Sequence, residues 1–186
     1  MNEINELLEK KIITKTESEF LKEPIFPEFG SAISNWENLC KHCIRNGHII
    51  KAINDFNKFQ NELYALAQSF IYIRNEILCR PVKITRMLSC EDGHKQIYIE
   101  TYGNDWEKHY TPQSAHLFGL GIDYIVNNGS ERRKLIVHLD ADLGITRVGF
   151  TRNARGLFHH DLWHIAEYQQ KHLGGVKVAR DASWTY

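Results

Sequence analysis

Ser114-Ala-His-Leu-Phe-Gly-Leu-Gly-Ile-Asp123 sets a histidine and an aspartate seven residues apart, with Gly119 and Gly121 between them. His116 and Asp123 both suit a divalent metal. The glycines let the backbone turn tightly and pass close to a neighbour. The run from Gly121 to Val126 reads as a buried strand, which puts Asp123 on a rigid element. A catalytic zinc takes three protein ligands and keeps a fourth position open. The rest of the chain is therefore read for a third ligand and a base.

Both can come from Leu157-Phe-His-His-Asp-Leu-Trp-His164, where His159, His160 and His164 surround Asp161. In a strand, His159 and Asp161 point to the same face, whereas Asp161 and His164 do so only across a bulge or turn. Asp161 is the carboxylate placed to take a proton from a metal-activated water. His109, His138 and His172 read as structural or exposed, and His160 and His164 are also spaced as a helical i, i+4 pair. The four cysteines are too few and scattered for a disulfide framework. Cys40-Lys-His-Cys43 reads as one turn of a helix rather than a zinc site, because no second ligand pair follows at finger spacing.

The chain of 186 residues is long enough for one domain, with a small helical appendage, and 42% hydrophobic content supplies a sizeable core. Lys and Arg number 23, as do Asp and Glu, so bulk charge draws the protein to neither nucleic acid nor a membrane surface. No apolar run approaches bilayer length, so no membrane span is expected. The acidic start Met1-Asn-Glu-Ile-Asn-Glu6 is not a Sec-type signal peptide. That suits a cytoplasmic protein, or one released or injected to the cell wall by another route.

The first half reads as helical. Residues 2–11 are amphipathic, and Thr14-x-x-Glu17 is a capping box for a second helix that Pro24 ends. Pro24 to Gly30 is a connector. Ser34-x-x-Glu37 opens a helix expected to run to Asn46-Gly47. A long pattern from Ile49 to Ile77 follows, with an interruption expected at Asn54-Asp55. After Cys79 the period changes. Strands are expected at 81–86, 95–101, 145–150 and 156–161, with a loop at 104–113. Helices are expected at 131–143, capped by Ser130, and at 162–172, closed by Gly174-Gly175. Arg152 and Arg155 fall in a basic loop. The division is a helical region, 1–78, and a mixed α+β region, 79–186.

The residues 114–123 also resemble the Ser-x-His-x-x-Gly-x-Ala-x-Asp motif of the zinc D-alanyl-D-alanine carboxypeptidases, the superfamily of VanY, VanX, phage endolysin peptidases and the hedgehog signalling domain. Gly121 replaces its alanine. Arg80-Pro-Val-Lys-Ile-Thr85 resembles the strand before that motif. The family's following Ser-Gly-Tyr-Arg is missing, and Arg86 is the nearest substitute for its substrate-binding arginine. Leu143 to Gly149 and Gly156 to Asp161 resemble the Gly-Phe-Val-His-x-Asp ending of one subgroup, which makes His159 the third metal ligand. Asp161-Leu-Trp-His164 resembles the ending of another, which makes His164 the ligand. Strand parity and the upstream match favour His159. Ser183-Trp-Thr-Tyr186 resembles the aromatic end of the first subgroup.

The resemblance covers about residues 80–186. It implies an α+β fold with an antiparallel sheet and Zn2+ held by His116, Asp123 and His159. It also implies Asp161 as catalytic base, Arg86, Arg152 or Arg155 on a substrate carboxylate, and peptidoglycan stem peptides as substrate. The alternative is a non-catalytic metal-binding interaction protein on the same fold.

Overall fold

The computed structural model describes residues 2–151, 156–174, 176 and 182–185. Six helices come first: α1 (Asn2–Glu9), α2 (Lys15–Lys22), α3 (Asn35–Asn38), α4 (Lys41–Arg45), α5 (Ile49–Lys58) and α6 (Gln60–Tyr72). There follow β1 (Ile84–Arg86), α7 (Glu91–Tyr102), α8 (Trp106–His109), β2 (Gly121–Val126) and α9 (Gly129–Leu143). The chain continues through β3 (Arg147–Phe150), β4 (Gly156–Asp161), α10 (Ala166–Leu173) and β5 (Ala182–Thr185). The class is α+β, as the change of period after Cys79 leads one to expect.

Local sequence sets the helix starts. Thr14 Oγ1 accepts from the Glu17 N–H at 3.2 Å, and Glu17 Oε2 accepts from the Thr14 N–H at 2.7 Å, closing the capping box. The Ser34 N–H donates to Glu37 Oε2 at 3.0 Å. The helix it opens stops at Asn38, because Leu39 and Cys40 are extended, and α4 starts anew at Lys41. The long pattern from Ile49 breaks at Phe59 rather than at Asn54-Asp55. A break there turns α6 so that Leu63, Leu66, Ala67 and Phe70 are all buried.

Residues 95–101 are helical, not a strand. Cys90 caps α7, its Sγ accepting from the Gly93 N–H at 3.3 Å, and Glu91 and Asp92 occupy the first turn, where the helix dipole favours acids. The alternation of Ile97 and Ile99 misleads because neither is core; each is 37% exposed. The side chains that pack on α7 recur at i+4: His94, Tyr98 and Tyr102. The expected loop at 104–113 contains the short helix α8. α9 is capped by Asn128, whose Oδ1 accepts from the Glu131 N–H at 2.9 Å, and not by Ser130. α10 begins at Ala166, four residues later than expected, since Leu162 is still tied to the sheet through Leu120 O.

The strands lie in the order β1-β2-β4-β3-β5. The first four are antiparallel neighbours, as expected, but β5 joins β3 in parallel. Alternation divides β2 and β4 between two faces. Tyr124 and His160 turn toward α6, where the Phe70 and Tyr124 rings lie 5.7 Å apart and His160 Nε2 is 3.0 Å from Ser69 Oγ. Asp123, His159 and Asp161 turn to the opposite face. The main core thus combines α6, from the helical half, with the sheet. A second apolar cluster joins α1 to α5 around Leu21, Trp36 and Ile44, and Cys90 reaches it from beyond the first strand.

Candidate metal centre

Strand register puts Arg86 of β1 opposite Asp123 of β2, and Asp123 opposite His159 of β4. His116 reaches this row from a 3-10 turn, Ala115–Phe118, which ends at Gly119 in the left-handed region (φ 69°). A Cβ at Gly119 would lie 2.9 Å from Leu63 Cγ, so this position needs glycine both for its backbone and for the close approach of α6. Gly121 then passes beneath the site, where a Cβ would stand 3.0 Å from Ala115 Cβ and 3.1 Å from His159 Cε1.

The three donors converge. His116 Nε2 lies 3.2 Å from Asp123 Oδ1 and 3.2 Å from His159 Nδ1, and His159 Nδ1 lies 2.7 Å from Asp123 Oδ1. Ligand bonds of about 2.0–2.1 Å to a tetrahedral ion give edges of about 3.3 Å between donors. Two edges match that length. The third is shorter by the difference between a ligand edge and a hydrogen bond. All three residues are buried, and the set is compatible with a metal ion. His116 Nδ1–H donates to Met87 O at 2.8 Å, which fixes the tautomer that aims the Nε2 lone pair into the site.

Electrostatics follow from burial and pairing. Burial pushes His116 down to about 4, helped by the Arg86 charge. Burial also opposes charge on His159, but its hydrogen bonds to Asp123 and Asp161 outweigh it and raise the group to about 8. Burial works against ionised Asp123, yet His116 and Arg86 hold its carboxyl well below the usual range. A proton on His159 therefore sits among acceptors where a cation would sit. His160 has no part in this. Ser69 donates its hydroxyl proton to Leu66 O, so His160 Nε2–H donates to Ser69 Oγ, while Nδ1 accepts from the Tyr124 hydroxyl at 3.3 Å. Burial pushes it down to about 3, and it remains a neutral core group.

Asp161 stands beside the donors. Its Oδ2 is 3.4 Å from His159 Nε2, while Oδ1 accepts from Arg147 Nε at 2.8 Å and from the Trp163 N–H at 3.0 Å. Arg86 Nε donates to Asp123 Oδ2 at 2.9 Å, so the residue expected on substrate also braces a ligand. His164 lies past the end of β4 and does not belong to the three-donor group. Arg152 and Arg155 lie outside the described residues.

A cleft of about 360 Å³ opens over His116, His159 and Asp161. One wall is aromatic: Tyr98 and Tyr102 of α7, with the His109 ring stacked 3.9 Å from that of Tyr102. The i, i+4 spacing of His94, Tyr98 and Tyr102 was the available sequence signal for this wall, hidden by reading 95–101 as a strand. A second donor group, Cys40, Cys43 and Cys90, is also buried, and the sequence disclosed only its first two members. Among the described residues no helix is long and apolar enough to cross a membrane. Compared with known proteins, the chain matches no family model, no curated protein and no solved structure.

Proposed function

We propose that this protein is a zinc-dependent peptidase that cleaves peptidoglycan stem peptides. The observation that carries the reading is the convergence of His116 Nε2, Asp123 Oδ1 and His159 Nδ1, with His116 and His159 lining a cleft. Two imidazoles and one carboxylate are a donor set suited to catalytic zinc. Zinc held there supplies Lewis acidity for a scissile carbonyl and makes water a nucleophile at neutral pH.

The remaining work falls to the chain itself. Among the described residues that line this cleft, Asp161 is the only carboxylate. Its Oδ2, 3.4 Å from His159 Nε2, accepts the proton from the attacking water. Arg147 and the Trp163 amide hold Oδ1, which fixes the carboxylate in place. Arg86 lines the cleft with its side chain 20% exposed, and its guanidinium can meet a substrate carboxylate there. Tyr98 and Tyr102 provide an apolar wall for the peptide.

The test is hydrolysis of a D-alanyl-D-alanine-terminated peptide by the full chain. Turnover is expected, is lost with a chelator and returns with zinc. His159→Ala is expected to lose both this metal and activity, whereas His164→Ala keeps the metal. Metal held at His116, Asp123 and His159 with no turnover on any stem peptide would sink the peptidase reading. The second reading, a non-catalytic metal-binding interaction protein, would then stand. It is favoured by one observation, the tie of Asp161 to Arg147.

A further inference from the structure

Three cysteines from two distant segments meet in the smaller core. Cys40 caps α4, Cys43 lies in the first turn of that helix, and Cys90 caps α7, fifty residues after Cys40. Their sulfurs all lie within 4.8 Å of one another, and all three residues are buried. A tetrahedral ion with metal–sulfur bonds of about 2.3 Å sets its sulfurs about 3.8 Å apart, so small rotations close the site.

The surroundings suit thiolates. The Cys90 N–H donates to Cys40 Sγ at 3.1 Å, and the Gly93 N–H donates to Cys90 Sγ at 3.3 Å. His42 Nδ1 lies 3.4 Å from Cys90 Sγ and brings a nitrogen donor to the edge of the cluster. A Cβ at Gly93 would stand 2.6 Å from His42 Cβ, so glycine is what lets α7 bring Cys90 to the other two sulfurs.

We propose that Cys40, Cys43 and Cys90 form a second, structural site for a thiophilic divalent cation of the zinc type, separate from the histidine-aspartate centre. Binding releases the thiol protons to solvent. The ion staples α4 to the segment 87–90. That segment also carries Met87 O, which orients His116, and the Ser89 N–H, which donates to His116 O at 2.9 Å. The smaller helical core gains a cross-link to the segment that follows β1.

Cobalt(II) separates this site from the other, because only thiolate ligands give an intense charge-transfer band in the near ultraviolet. The full chain, purified without oxygen and loaded with cobalt, is expected to show that band. His159→Ala keeps it, since its loss affects only the other centre. Cys79→Ser keeps it too, because Cys79 is exposed and outside the cluster. Cys43→Ser loses it and binds one fewer ion per chain. Cobalt bound to the wild-type chain without the band overturns the proposal, whether or not Cys43→Ser folds. So does a thiol titration of the unfolded, metal-free chain that finds fewer than its four cysteines, which would mean a disulfide instead.

Discussion

His159 is the residue on which the chemistry of the site turns. Nδ1 faces Asp123 and Nε2 faces Asp161, so in the metal-free protein the ring is held protonated, up to about 8. A metal ion must displace that proton. Metal affinity at this centre is therefore expected to fall by about tenfold per pH unit below 8, with one proton released per ion bound there. Calorimetry at pH 7 in buffers of different ionisation heat measures the release. No release at pH 7 would contradict the assignment. The same shift makes a stability statement for the metal-free chain. The folded value lies above the unfolded value of 6.5, so this contribution is fully present below 6.5 and is lost as pH rises through 8. Its size is about 2 kcal/mol. His116 acts in the other direction: pushed down to about 4, it weakens the fold as pH falls from 6.5 toward 4.

Among the elements, the turn at 115–119 and α7 decide most. Gly119 combines a positive φ with contact against Leu63 and Phe59 of the α5–α6 corner. Gly119→Ala is expected to cost about 1–3 kcal/mol through backbone strain and overpacking. It should also weaken metal binding, because the turn carries His116. Urea denaturation read beside metal content checks both, and wild-type stability in this variant would refute the tight fit. On the proposed function, α7 would act on substrate rather than on metal. Tyr98→Ala removes a wall of the cleft without touching a ligand, so KM is expected to rise several-fold at unchanged metal content. Steady-state kinetics on the stem peptide makes that comparison.

At the scale of the whole molecule, the helical half and the sheet share a core. Phe70 meets Tyr124, Ser69 meets His160, and Glu62 of α6 accepts from Lys171 Nζ at 2.5 Å and His172 Nε2 at 2.8 Å on α10. Removing residues 1–78 would uncover Ile122, Tyr124 and Phe158, all fully buried. At about 1.5–3 kcal/mol for each large apolar side chain, that loss is comparable with the whole stability of a domain. A fragment of 79–186 is expected to fail to fold, seen as collapse of near-ultraviolet circular dichroism. A stable, metal-binding fragment would show that α6 is dispensable.

The sequence by itself determined whatever depends on neighbours along the chain. Capping boxes placed two helix starts, and strand parity put His159 and Asp161 on one face of β4. The spacing of His116, Gly119, Gly121 and Asp123 marked a turn leading into a strand. Side-chain period is a local property, and where it was unambiguous the elements formed as read. It failed at 95–101, where two half-exposed isoleucines imitate an alternating strand while the packed face repeats every four residues. Only the tertiary structure decided which distant groups meet. The β2–β4 register sets His159 against Asp123, and the sheet's far face removes His160 into the core. The close approach at Gly93 carries Cys90 to Cys40 and Cys43, a meeting invisible to any reading of ligand spacing along the chain. Donor geometry needs atoms within a few ångströms, and that proximity is set by register and packing between segments some forty or fifty residues apart.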